Sequence, residues 1–453
     1  MTDVAPAVDG APAKQTNRSW RDFVTNSGVD TRLLGMVAAL AVIWIAFNLM
    51  SGGKFITSRN LWNLSVQTVS ISIMATGMVL IIVTRNIDLS VGSLLGFLGY
   101  TMALMQTNGK ISIFGLSFTV DTLKEHHWYT WLLALALGLA LGAVIGALQG
   151  SLVSYVGVPA FIVTLGGFLA WRGMIFRTGG MKGQTLAPLD HTFQYLGGAP
   201  ERSMGQWKTW VVAALVCVGI VLTIVFARQR RQRHNLSVRS MGTDVGFAIG
   251  GCAAVIVAVI FVFNGYKSPQ TNKAVGMAYP VLILLGVTML MTYLARRRRF
   301  GRYVFAYGGN PEAAELGGIN TRKTIMYTYV VMGMLCAVSA AIQTARLNSA
   351  TTNLGVQNEL DVIAAAVIGG TSFAGGIGTI PGAVLGAVVM QSLRSGMSLL
   401  NIDSPTQDIV VAVVLVTAVA IDALIRQRRR SHMAIALGVG IAVAAVVIQT
   451  GRP

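Results

Sequence analysis

Residues Leu61–Thr84 read LWNLSVQTVSISIMATGMVLIIVT, 24 positions without a charge, and Arg85 ends the run. A helix needs about 20 mainly apolar residues to cross the hydrocarbon core, where only a helix or closed barrel satisfies every backbone group. The segment therefore predicts a transmembrane helix. Outward from it, comparable runs fall near Leu33–Met50, Val91–Met105, Trp128–Tyr155, Phe161–Phe176, Trp207–Ala227 and Val245–Phe263. Further runs fall near Pro280–Ala295, Thr324–Thr344, Ile380–Leu400, Ile409–Ile425 and Met433–Ile448. The expected fold is an all-α polytopic membrane protein with about 12 spans. The apolar stretch Asp361–Phe373 is too short to cross, so a half-helix or one arm of a broken crossing is expected there.

Composition agrees. Of 453 residues 54% are hydrophobic and only 11% charged, against about 25% charged in ordinary soluble proteins, which excludes a soluble enzyme. The net charge of +18 would point to nucleic acid in a soluble chain. Here it takes another meaning, because Lys and Arg accumulate in the cytoplasmic loops of membrane proteins. The clusters Arg228–Arg239, Arg296–Arg302, Arg322–Lys323 and Arg426–Arg430 all fall inside when the spans are threaded from a cytoplasmic N-terminus, and Lys267–Lys273 fall outside. Residues 1–32 read as a disordered cytoplasmic tail, 33–431 as the permeation domain, and 432–453 as an extra C-terminal transmembrane helix. Cys217, Cys252 and Cys336 sit in apolar runs without metal or redox spacing and read as packing residues.

No phosphate-binding loop, HExxH helix or GxSxG elbow is present, so the chain carries no catalytic signature and binds no cofactor directly. Gly138, Gly142, Gly146 and Gly150 recur every four residues and bare one helix face for close approach of a neighbour, within the chain or across a subunit contact. Three interruptions carry more information. In Arg85–Gly92, RNIDLSVG, Asp88 or Ser90 can accept from the free N–H groups of the next helix, and an ionisable residue beside a helix break at membrane depth also marks permeation paths. In Asp361–Ile380, DVIAAAVIGGTSFAGGIGTI, the glycines Gly369, Gly370, Gly375 and Gly376, with Thr371 among them, predict a hinge or pore lining, or else a tight turn that lets two helices cross closely. In the cytoplasmic segment to Ile319, Asn310 suits an N-cap, Pro311 the first helical position and Glu312 the positive dipole end, while Gly317 or Gly318 can stop the helix. The result is a short helix through Leu316, with Ala313 and Ala314 expected as an exposed docking face or as part of an ordinary connector.

Together, IDLSVG at Ile87–Gly92, PAFIVTLGG at Pro159–Gly167, GGNPEAAELGGIN at Gly308–Asn320 and ELDVIAAAVIGGTSFAGGIGTIPGAVLGA at Glu359–Ala387 resemble the permease subunits of bacterial ABC sugar importers, in the ribose, galactose and xylose branch. The resemblance covers residues 55–425. It implies an inner-membrane permease used in two copies, two cytoplasmic ATPase subunits that consume ATP, and an external sugar-binding protein, with no nucleic-acid partner. It also implies that Asn310, Pro311, Glu312, Ala313, Ala314, Leu316, Gly317 and Ile319 form the segment coupled to the ATPase. Asp88, Ser90 and Gly92, with Gly369, Gly370, Thr371, Gly375 and Gly376, match motifs along the path or its hinges. The two extra spans between Ala227 and Ala295 look like the xylose-type arrangement, and the last helix has no family counterpart. An ion-coupled secondary sugar transporter would share the hydropathy but would call for more intramembrane carboxylates or histidines than Asp88, Asp361 and Asp422. Uncharged polar residues of the spans, Asn63, Gln67, Thr68, Ser70, Thr76, Thr164 and Gln343, suit a neutral, hydroxylated solute.

Overall fold

The computed structural model describes residues 31–113, 116–119, 128–178, 183–235 and 240–426. The expected tail, the span Met433–Ile448 and the last arginines Arg428–Arg430 lie outside the described residues, apart from the start of the first helix at Thr31. Every other expected span is a helix. In chain order these are α1 (Thr31–Met50), α2 (Ser58–Val83), α3 (Val91–Asn108), α4 (Thr130–Ser151), α5 (Ala160–Thr178), α6 (Gly205–Arg233), α7 (Met241–Val257) and α8 (Tyr279–Arg297). They are followed by α9 (Arg299–Gly309), α10 (Pro311–Leu316), α11 (Thr321–Leu347), α12 (Asn358–Ile368), α13 (Ile380–Leu399) and α14 (Ser404–Arg426). A small antiparallel hairpin, Lys110–Ile113 with Leu116–Thr119, follows α3.

Helices α2, α3, α11, α12 and α13 form the centre. From Val69 to Val83 every residue of α2 is buried, as is every residue of α3 from Val91 to Gln106. Several polar groups inside them are paired: the Thr68 hydroxyl donates to Leu64 O (2.7 Å), Thr76 to Ile73 O (2.7 Å), and Ser70 pairs with Ser339 across α2 and α11. The four-residue glycine stripe of α4 has an intramolecular role. A Cβ at Gly142 would overlap the Gly333 carbonyl, one at Gly146 the Tyr329 carbonyl, and one at Gly150 would lie 2.9 Å from the Met326 backbone. Backbone contact of this kind is what small residues permit between membrane helices.

Two expectations about α6 and the segment after α8 change. Helix α6 runs on past Ala227 to Arg233, so Arg228–Arg233 are its last two turns rather than a loop; cations are favoured there by the helix dipole. The segment from Phe300 contains a second helix, α9, before the short one.

Candidate functional site

The three interruptions meet at one end of the molecule. At the first, Asp88 is 1% exposed, and its Oδ1 accepts from the Ser90 backbone N–H (2.8 Å) and the Ser90 hydroxyl (2.6 Å). Ser90 is the N-cap residue of α3, yet its own side chain makes no cap bond; it instead accepts from the Gln149 amide (3.0 Å). Asp88 thus folds the turn rather than capping the helix directly. Gly92 lies one turn further, where a Cβ would overlap Glu359 Oε2 and approach the Gly355 carbonyl at 2.5 Å.

Arg85 precedes this turn with φ of 62°, a left-handed conformation that costs a non-glycine residue about 1–2 kcal/mol. It directs the guanidinium across the gap, where Nε donates to Gly308 O and Nη2 to Gly309 O, both at 3.0 Å. Gly375 and Gly376 adopt φ of 85° and 73°, and Gly376 N–H donates to Val83 O (3.1 Å). A Cβ at Gly375 would stand 2.6 Å from both Arg85 Cγ and Gly308 O, and one at Gly376 2.9 Å from Gly309 Cα. The glycine loop, the end of α2 and the end of α9 are therefore one backbone-to-backbone junction.

Helix α10 leaves this junction directly. The Asn310 side chain accepts from Ala313 N–H (3.1 Å), Pro311 opens the helix, Glu312 sits in its first turn, Gly317 N–H returns to Ala313 O (2.9 Å), and Gly318 supplies the positive φ of 78°. Ile319 N–H bonds Ala314 O (3.0 Å) and Glu315 accepts from the Thr321 hydroxyl (2.8 Å), which tie α10 to α11. The expected exposed pair of alanines is corrected here. Ala313 is exposed, but Ala314 is 5% exposed and faces the protein, and Leu316, 90% exposed, carries the outward apolar face. In a six-residue helix consecutive positions point about 100° apart, so adjacent alanines do not share a face. Beside it, burial, and then the nearby Glu315 carboxylate, push the Tyr307 phenol above its ordinary range, with Arg85 opposing.

Helix α12 is the expected half-helix, 11 residues long. Gly370, at φ 85°, donates its N–H to Val367 O and ends it. Gly369 crosses α13 so closely that a Cβ would lie 2.6 Å from Ala383 Cα, and Gly386 faces Ala365 O. Thr371 and Ser372 follow, both buried.

On the other side of α12 lies a cavity of about 450 Å³, within the usual range for small-molecule sites. Gln67 and Ser70 of α2, Gln343 and Arg346 of α11, Gln357, Asn358 and Asp361 at the start of α12, and Gln391 and Arg394 of α13 line it. Its amides are mutually paired, Gln391 Nε2 to Gln67 Oε1 at 2.9 Å and Asn358 Nδ2 to Gln343 Oε1 at 3.1 Å, leaving further donors and acceptors for a hydroxylated guest. Arg394 bonds both oxygens of Asp361 (2.9 Å) and reaches Asp408 of α14 at 3.2 Å.

Of the polar residues singled out from sequence, Gln67, Ser70 and Gln343 line this cavity. Thr68, Thr76 and Thr164 bond helix carbonyls. The lining is mainly uncharged, with Arg346, Asp361 and Arg394 as its charged members. Sequence reasoning missed Gln357, Asn358, Gln391 and Arg394; the available signal was polar residues spaced three apart within an apolar helix, Gln391 and Arg394, which share one face. Asp88 and the glycine loop are not among the lining residues.

Residues 60–419 match the family described as branched-chain amino acid transport system / permease component. Among curated proteins, the chain is 35% identical over 395 residues to the xylose transport system permease protein XylH of Haemophilus influenzae, covering 87% of this chain and 96% of that one. It is 34% identical over 393 residues to XylH of Escherichia coli (87% and 92%) and 33% identical over 387 residues to the ribose import permease protein RbsC of Escherichia coli (85% and 92%). No solved structure matches the chain.

Proposed function

Because the chain belongs to this family of transport-system permease components, we propose that it is the membrane-spanning subunit of an ATP-driven ABC importer that carries a monosaccharide, a pentose and specifically xylose, into the cytoplasm. The observation that carries this reading is the junction of Arg85 with Gly308 and Gly309 and of Gly376 with Val83, which links the exposed helix α10 to the loop that ends half-helix α12. A push on α10 reaches α12, whose opposite end lines the polar cavity. In this reading Asn310–Ile319 dock on a separate ATPase, with Glu312, Ala313, Leu316 and Gly317 outward and Ala314 and Ile319 anchoring the segment. Asp88, Ser90, Gly92, Gly369, Gly370, Thr371, Gly375 and Gly376 act as hinge and close-packing points. The amides of the cavity meet sugar hydroxyls in passing.

The working assembly comprises two copies of this chain, two ATPase subunits and an external sugar-binding protein in the bacterial inner membrane, with the N-terminus and Arg296–Arg302 cytoplasmic and Lys267–Lys273 outside. The relatives named for xylose support the sugar, as do the two extra spans between Ala227 and Ala295, α7 and α8. Reconstitution with the ATPase and binding protein tests it: labelled xylose should accumulate with ATP faster than ribose, galactose or leucine. Ribose or galactose in excess of xylose would overturn the choice of xylose, and leucine in excess of all sugars the substrate class. Uptake driven by an ion gradient without ATP would instead assign a secondary transporter.

A further inference from the structure

Helices α6 and α7 are apolar and almost uncovered by the rest of the chain. They pack on α2 at one end, where Trp62, Val66, Ala213 of α6 and Val259 and Phe263 of the π-helical continuation of α7 (Ala258–Phe263) cluster and Trp62 Nε1 donates to Gly276 O in the following loop (2.8 Å). At the other end the apolar surface stops at Ala227, and Arg228, Arg230, Arg231 and Arg233 follow within six residues of α6. That is the depth at which a membrane passes from hydrocarbon to headgroup.

At this level a cavity of about 250 Å³ opens between the two helices, lined by Thr223, Ile224, Ala227, Arg228, Arg231, Asp244 and Phe247. Its floor is apolar and its rim basic. Arg228 bonds Asp244 at 2.8 Å, which fixes the two helices across the back and balances one charge. Among the described residues no carboxylate pairs with Arg231, which is exposed on the rim. The N-terminus of the 17-residue α7, capped by Ser240 on Thr243 N–H, adds its positive dipole end to the same side. An apolar floor continuous with lipid-facing surface, under a rim with excess positive charge, has the chemistry of an anionic phospholipid site.

We propose that this cavity binds the headgroup of an anionic glycerophospholipid. The phosphate sits on Arg231 and the outer edge of Arg228, and the first acyl carbons run along Ile224 and Phe247. The inference needs only the membrane-spanning reading and is independent of the sugar and of the ATPase.

The test uses the purified full-length chain with its copurifying lipid removed, titrated with equal amounts of dioleoyl-phosphatidylglycerol and dioleoyl-phosphatidylcholine and read by native mass spectrometry. The wild type should retain phosphatidylglycerol over phosphatidylcholine. Arg231→Gln should lower that preference about fivefold, as removal of one membrane-surface arginine predicts, and Arg231→Lys should keep most of it. Lys273→Gln, at the opposite end of the hairpin, should change nothing. The site is overturned by equal retention of both lipids by the wild type, by an unchanged preference in Arg231→Gln, or by inorganic phosphate at millimolar concentration displacing the bound lipid. A loss of dimer rather than of lipid in Arg231→Gln would assign the cavity to a second copy of the chain and overturn it as well.

Discussion

Helix α2 and the α6–α7 hairpin are both long, apolar and fit to cross a bilayer, yet they occupy opposite environments: nearly all of α2 is buried in protein, and nearly none of the hairpin is. The hairpin is the more hydrophobic of the two. What separates them is the content that lipid cannot satisfy. Helix α2 contains Asn63, Ser65, Gln67, Thr68, Ser70, Ser72 and Thr76, whereas Trp210–Phe226 of α6 has Thr223 alone among hydroxyl and amide residues. A polar side chain in hydrocarbon is costly unless paired, so the helix that carries many goes to the centre, where partners such as Ser339 and Gln391 await it.

The widest expected gap between core and hairpin comes from glycine. Gly146→Leu forces a side chain into the Tyr329 carbonyl and should cost about 3 kcal/mol or more, seen as loss of folded protein in detergent. Gly219→Leu on α6, with nothing within 4 Å, should stay within about 0.5 kcal/mol of the parent. Equal melting of the two would break the comparison.

Ion pairs give the next contrast. Arg394→Met strands Asp361, whose side chain is 5% exposed, together with Asp408, a change worth about 3–5 kcal/mol. Asp244→Ala in the hairpin, more accessible to solvent, should cost about 1 kcal/mol or less. Thermal unfolding of the two variants side by side measures the difference.

Helix α10 separates function from stability. Leu316→Asp alters a fully outward side chain, so unfolding should shift by less than about 0.5 kcal/mol while ATP-driven uptake falls by about tenfold, the effect of about 1.4 kcal/mol at the contact. Ala314→Asp, by contrast, should lower stability as well, since that position faces the protein. If Leu316→Asp transports normally, α10 is a connector and the docking reading fails.

The smallest effect belongs to the cavity. Gln391→Leu removes one amide bond to Gln67, worth about 1 kcal/mol, and should reduce sugar uptake by several-fold with the fold intact. Substitution of Val225 on the hairpin by Leu should leave uptake as it was.

Much of this architecture was legible along the chain. Run length located the helices, because the need to satisfy backbone groups in lipid leaves a sequence of that length and composition no other way to cross. The caps of α10 followed from Asn310 and Pro311, since capping depends on residues within one turn, and the shortness of α12 followed from Gly369 and Gly370. The four-residue glycine stripe announced a close approach but left its partner unnamed. The burial of Ala314 and the helical course of Arg228–Arg233 were misread, the first because a face is set by what lies behind it, the second because a charge does not end a helix.

Sequence by itself therefore determined which segments form apolar helices and where each is broken, both of which depend on interactions local to a turn or on the solvent along a run. Only the tertiary structure decided that Arg85, Gly308 and Gly376 form one junction, that Gln67 faces Gln391, and that Arg394 joins α12 to α14. Those pairings connect residues more than two hundred positions apart in several cases, and their energy appears only when close-packed backbones bring the partners within hydrogen-bonding distance.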